Sequence, residues 1–184
     1  LRDVYKRQVV WKASERDSFV EDVQAMRRRV LENVPKDLKH RELKLGVGGL
    51  RDVEFAVQLL QLVHGRTDEQ LRVLSTVEAL DRLVQEGYVG REDGHQLIDA
   101  YEFLRLLEHR LQVERFRRTH LMPADDDREG LRWLARISGY ASTSTSSATD
   151  QMLADLKTVR VRISELHSRL FYRPLLNSCL LYTS

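Results

Sequence analysis

Apolar residues recur every three to four positions through almost the whole chain, a period that restricts it to packed helices. Phe19, Val23, Met26, Val30 and Val34 trace the first stripe, with Asp17 or Ser18 placed to cap its start and Pro35 to end it. From Leu50 to a stop at Gly65, the apolar positions Val53, Phe55, Val57, Leu59, Leu60, Leu62 and Val63 fall on nearly every side, which predicts a helix buried on several faces. Thr76 to Glu86 predicts a shorter helix with Val77, Leu80, Leu83 and Val84 inward. Glu92 to Arg117 predicts the longest, striped by Leu97, Tyr101, Leu104, Leu107 and Leu111. Leu121-Met122-Pro123 breaks the pattern, and Leu131, Leu134 and Ile137 resume it as far as Gly139. A polar tract from Ser142 to Ser147 predicts a flexible loop. The last helix runs from about Asp150 through Leu153, Leu156, Val159, Ile163, Leu166 and Leu170 to Pro174. With only 9 Gly and 3 Pro there is little material for a turn-dense β fold. The expectation is a mainly α protein, a helical bundle with one short strand near its front.

At 184 residues the chain accommodates one domain, or one domain and part of another. A formal net charge of +2 gives no bulk electrostatic reason to expect nucleic acid as a partner. No apolar run reaches the length of a membrane span and the start carries no charged-then-apolar signal pattern, so a cytoplasmic location is expected. The single cysteine, Cys179, excludes an internal disulfide and a cysteine-based zinc site. Residues 3–8 back-translate to GATGTGTATAAGAGACAG, and residues 179–184 fit the opposite strand of the same DNA in a shifted frame. Residues 1–8 and 179–184 therefore read as tails derived from a sequencing adapter, leaving about Val9 to Ser178 as native sequence.

One segment differs in kind. Glu42-Leu43-Lys44-Leu45 alternates as a brief strand does and runs into Gly46-Val47-Gly48-Gly49, directly before the helix that starts at Leu50. A strand this short needs partners, which are expected upstream. Glycines between a strand and a helix allow positive φ and close approach, and a helix start presents N–H groups suited to phosphate or carboxylate. Lys44 and Arg51 flank the turn with positive charge, and Asp52 and Glu54 place carboxylates in the first helical turn. Such groups suit phosphate oxygens or a divalent cation. Packing explains the same residues: a tight corner needs glycines, and Asp52, Glu54 and Arg51 stabilise a helix start or one another without any ligand. The segment matches neither a Walker loop nor the dinucleotide fingerprint.

Beyond the corner the candidates are weak. His64 ends a buried helix as a capping or interface histidine, and His109 and His120 lack partners at metal-ligand spacing. Asp125-Asp126-Asp127 reads as a solvated helix cap, and Glu108, Arg110, Glu114 and Arg115 as a solvated face. Arg115, Arg117 and Arg118 near Phe116 suit either an acidic partner or a helix C-terminus; Trp11 and Trp133 are packing residues.

Lys44 to Gly65 resembles, ungapped, the K-L-G-x-G-G-[IL]-R-[DE]-[IV]-E-F-x-[VI]-Q-x-x-Q-L-x-x-G signature of glutamine synthetase adenylyltransferases. Tyr101 to Gln112 is similar to the family's Y-x-F-L-R-x-L-E-x-x-L-Q helix, and Arg118 to Pro123 and Phe171 to Leu176 fit as well, the latter in the actinobacterial manner. The family duplicates a nucleotidyltransferase domain followed by a helical domain of the PII-uridylyltransferase type. The first copy removes adenylyl groups and the second attaches them, and the form K-L-G-x-G-G-L-R resembles the first. The resemblance implies that residues 9–49 end a nucleotidyltransferase domain and that 50–178 form the helical domain. It implies phosphorolysis of adenylyl-tyrosine to ADP, with Mg2+ and ATP as cofactors of the complete enzyme and glutamine synthetase and a PII signal protein as partners. It places Lys44, Gly48, Gly49, Arg51, Asp52 and Glu54 at the edge of the nucleotide pocket, Lys44 and Arg51 facing phosphate. The family's metal-binding carboxylate pair, a G-D-x-D type strand, is expected upstream, so the chain alone is expected to be inactive. On the same footing Lys44→Ala and Asp52→Ala are expected to lower deadenylylation without unfolding. A fragment of a PII-protein uridylyltransferase, which shares a G-G-L-R-D turn, and a non-catalytic docking module for glutamine synthetase or PII are the alternatives. Val53-Glu54-Phe55 and the Phe171-Tyr172-Arg173-Pro174 end speak against the uridylyltransferase.

Overall fold

The computed structural model describes residues 19–115 and 119–172, and side chains within 22–113 and 119–170. The described residues form a bundle of six helices: α1 (Phe19–Glu32), α2 (Leu50–His64), α3 (Thr76–Gln85), α4 (Arg91–Arg115), α5 (Arg128–Ile137) and α6 (Ala148–Tyr172), with one 3-10 turn at Glu69–Leu71. This is the helical bundle that the apolar period predicts. The expected caps Asp17 and Ser18, the packing role of Trp11, the adapter-like ends with Cys179, and Phe116, Arg117 and Arg118 lie outside the described residues.

α6 is the spine, packing on α2, α4 and α5, while α4 also contacts α2, α3 and α5. One continuous core results, in which Leu43, Leu80, Leu83, Leu97, Leu104, Leu107 and Leu134 are wholly buried. Each such leucine contributes about 1.5–3 kcal/mol over its exposed state. α2 is apolar on two sides because it serves two clusters. Leu50, Val53, Val57 and Leu60 face the main core, and Phe55 and Leu59 meet Val23 of α1.

Helix ends follow local chemistry. Ser75 accepts the Glu78 N–H at the start of α3, and Asp127 accepts the Gly130 N–H at the start of α5. The acidic run thus supplies a cap through its last member. The Ser142–Ser147 tract is a hydrogen-bonded turn that caps α6, with Ser142 Oγ accepting the Ala148 N–H and Ser147 Oγ the Asp150 N–H.

Three expectations are corrected. Residues 42–45 do not form a strand: the extended pairing is a single antiparallel bridge between Glu42 and Leu121, within the chain rather than to an upstream sheet. Leu43 is tied to His120 O and Met122 to Arg41 O on either side of it, and the chain turns at once because the Glu42 carboxylate accepts the N–H groups of Lys44 and Leu45. In α1, Met26 is 49% exposed while Arg27 is buried, because the Arg27 guanidinium meets the Asp52 carboxylate of α2. In α6, Met152 turns inward and Leu153 is left 38% exposed.

Candidate functional site

The corner between Glu42 and Phe55 is built by backbone. The Leu50 N–H donates to Leu43 O, the Arg51 N–H to Lys44 O, and the Gly49 N–H to Gly46 O, so the residues before α2 fold back over its first turn. The expectation of free N–H groups for an anion at the helix start is corrected here: the N–H groups of Gly49, Leu50, Arg51 and Asp52 are spent on backbone carbonyls.

The glycines are required by close approach. Gly48 has φ +67°, and a Cβ there would lie 2.2 Å from the carbonyl oxygen of Arg160 in α6. At Gly49 it would stand 2.7 Å from Leu43 O, and at Gly46 2.6 Å from Glu42 O. Arg160 closes the same junction with its guanidinium, which donates to His40 O and Glu42 O. One residue of α6 therefore abuts the turn with its backbone and grips the incoming chain with its side chain. The sequence reading missed it, since an arginine in an exposed-looking helix carries no local signal for a contact about 120 residues away.

Asp52 lies inside this corner. It is 3% exposed; one oxygen accepts from Arg27 of α1 and the other takes the Gly48 N–H at 2.7 Å. Both oxygens are engaged, which fits a strut between α1, the turn and α2, and does not fit a metal ligand. Glu54 accepts from Arg51 at 2.8 Å and from the Tyr101 hydroxyl at 3.4 Å. Among the described residues no group of three or more His, Cys, Asp or Glu side chains forms a metal-sized cluster.

The outer side of the corner is open. Val47 is 55% exposed, Lys44 is half-buried with no ionic partner among the described residues, and the Arg51 side chain is 40% exposed with its guanidinium 5.7 Å from the Phe55 ring centre. Of the six predicted residues, Gly48, Gly49 and Asp52 are placed within the framework, Glu54 orients Arg51, and Lys44 and Arg51 present charge outward. Two cations beside a glycine turn fit the oxygens of a phosphate group.

Two further polar clusters surround the corner. Glu108, expected on a solvated face, is 1% exposed: its carboxylate meets Arg105 and His120 Nδ1, the latter at 2.5 Å. His120 is thereby held where its carbonyl receives Leu43. His167 of α6 is buried beside Arg27 and Asp52, and burial lowers its pKa below 6.5, with Asp52 opposing and Arg27 reinforcing that shift. His64 stacks on Tyr88 with ring centres 4.2 Å apart and is likewise lowered by burial. A lowered folded-state pKa means that the unfolded chain binds more protons below pH 6.5, so stability is fully present above that pH and falls on acidification. The urea midpoint is expected to drop between about pH 7.5 and about pH 5.5, and His167→Gln to flatten that slope. An unchanged slope in the variant assigns the effect to other groups.

The sequence that builds this fold and corner has known relatives. The chain belongs to the GlnD PII-uridylyltransferase family, whose model matches residues 24–171, a span that takes in most of α1, the corner and all later helices. Within that frame it is similar to the bifunctional glutamine synthetase adenylyltransferase/adenylyl-removing enzyme of Corynebacterium glutamicum, at 68% identity over 170 residues covering 92% of this chain and 16% of that protein. The protein of the same description in Mycobacterium marinum is 59% identical over 92% of this chain and 17% of its own length. The chain thus spans about a sixth of the curated relatives it matches. The resemblance read from Lys44 to Gly65 extends over nearly the whole chain. No helix among the described residues is long and apolar enough to cross a membrane.

Proposed function

We propose that the chain is a segment of an enzyme that adenylylates and deadenylylates glutamine synthetase, taken from its adenylyl-removing half. Residues 9–49 then close a nucleotidyltransferase domain and 50–178 form the helical domain behind it. The observation that carries the reading is the pair Lys44 and Arg51, turned outward on a corner whose other groups are consumed in holding it. In the reaction a phosphate oxygen attacks the adenylyl phosphorus, the bond to the tyrosine oxygen breaks, the phenol recovers a proton, and ADP leaves. Lys44 and Arg51 hold phosphate oxygens while charge redistributes. The complete protein supplies the magnesium ligands and binds ATP, acts in the cytoplasm on glutamine synthetase, and answers to a PII signal protein; the segment alone is inactive.

In the complete protein, Lys44→Ala and Arg51→Ala are expected to slow phosphate-dependent ADP release from adenylylated glutamine synthetase about ten- to a hundredfold. Stability should move by no more than about 0.5 kcal/mol for Lys44→Ala, which breaks no ion pair among the described residues, and by about 1 kcal/mol for Arg51→Ala, which gives up the pair with Glu54. Adenylylation by the same protein should be unaffected. A loss of adenylylation with deadenylylation intact would place the segment in the other half, and unchanged rates of both would make the corner a scaffold. The family description favours one second reading, nucleotidyl chemistry on a PII protein. Uridylyl transfer to PII that depends on Lys44 and Arg51, with no activity on glutamine synthetase, would select it.

A further inference from the structure

Away from the corner, α5 carries Arg128, Arg132 and Arg136 one turn apart, all exposed. Arg51, Arg72, Arg82 and Arg105 each meet a carboxylate three or four positions away, yet these three have no side-chain partner among the described residues. Like charges at this spacing repel, and Arg128, at the first position of α5, also opposes the positive end of the helix dipole. The stripe concentrates three unpaired cations on one face of α5, with no carboxylate at ion-pair distance among the described residues.

The arginines line a cleft of about 660 Å³ whose other wall is the beginning of α6. Its floor is apolar, with Leu131 from α5 and the half-exposed Leu153 from α6. A second hollow of about 310 Å³ shares Leu131 and Leu153 and continues over Leu156 to Lys157 and Val161, the last 52% exposed. The start of α6 adds little donor capacity, since the Ala148 and Asp150 N–H groups are capped by Ser142 and Ser147. Recognition therefore falls to the arginine forks.

Arg128 and Arg136 are about 12 Å apart along the helix axis, too far for one phosphate or carboxylate to bridge. The spacing matches carboxylates repeated once per helical turn. We propose that this cleft docks an acidic amphipathic helix of a partner protein, its carboxylates on Arg128, Arg132 and Arg136 and its apolar edge on the exposed Leu153 and Val161. A nucleic-acid strand has a similar charge spacing, but the cleft also carries Asp125 and Asp150, and its aromatic group, Tyr140, donates its hydroxyl to Asp155. The proposal is independent of the chemistry at the corner.

Fluorescence anisotropy tests it with a labelled, capped helical peptide bearing glutamates one turn apart and leucines on the adjoining edge. The comparison probes are the same peptide with glutamine for glutamate and an oligothymidine of similar length. At low salt the acidic peptide should bind about tenfold tighter than the glutamine peptide, as three exposed ion pairs would give. Arg128→Gln/Arg132→Gln/Arg136→Gln should abolish that difference, and Leu153→Asp should weaken the acidic peptide about fivefold or more. The substituted side chains are exposed, so helical content and the unfolding midpoint should match those of the parent chain. Equal affinity for the two peptides, no effect of the triple substitution, or tighter binding of the oligothymidine would overturn the proposal.

Discussion

Gly48→Ala is expected to destabilise the chain by about 3 kcal/mol or more, read as a lowered urea midpoint at constant denaturant slope. Two penalties combine. An L-residue at φ +67° costs about 1–2 kcal/mol in backbone sterics alone. The added Cβ would also stand 2.2 Å from the Arg160 carbonyl oxygen and within 3 Å of its carbonyl carbon and Cα. Those atoms belong to the backbone of a core helix, so relief requires α6 or the whole turn to move, at an overpacking cost of about 1–3 kcal/mol. Gly87 supplies the control: its φ is +78°, but a Cβ there meets nothing within 4 Å. Gly87→Ala should therefore carry only the conformational penalty, and the difference between the two variants measures the contact with α6. Equal losses would mean that the turn does not bear on α6 as described.

Removing either member of the Arg27–Asp52 pair should cost about 3–5 kcal/mol, because each leaves a charge in the interior without its counterpart. Asp52→Leu strands a guanidinium that is 2% exposed and whose Nη1 already has no hydrogen-bond partner among the described residues. It also releases the Gly48 N–H, loosening the turn that carries Lys44 and Arg51. Arg27→Met leaves Asp52 with that N–H alone of its two partners across the corner. The double variant Arg27→Met/Asp52→Leu should recover much of the loss, since an apolar pair of similar volume needs no desolvation. Denaturant unfolding of the four species gives the coupling directly, and additive single losses would contradict a paired interior. The expectation that Asp52→Ala lowers deadenylylation without unfolding is thereby revised: its activity loss would mix structural damage with chemistry, whereas Lys44→Ala, which breaks no ion pair among the described residues, is the cleaner probe.

The polar interior was the part hardest to read from residues alone. Glu108 sits in a run of alternating charges that looks solvated, and its burial follows from Arg105 on its own helix and His120 from a distant loop converging on it. A hydrophobic count favours Met26 over Arg27, yet it is Arg27 that turns inward, where it finds a carboxylate. The pairing of Glu42 with Leu121 links positions about 80 residues apart, and no local pattern encodes that partner. The glycine corner was legible because its demand is local: three glycines in four residues announce a backbone that must turn under something.

The sequence by itself determined the helices, since a period of three to four apolar residues is a property of one segment and survives in any packing that buries the stripe. It also carried the family, through the ungapped run from Lys44 to Gly65. Only the tertiary structure decided which of the corner's charges hold the fold and which face outward. That division depends on the Arg160 carbonyl, the Arg27 guanidinium and the Glu108–His120 pair arriving from elsewhere in the chain. Burial and pairing are properties of the assembled neighbourhood, and a carboxylate reads the same in sequence whether solvent or an arginine will meet it.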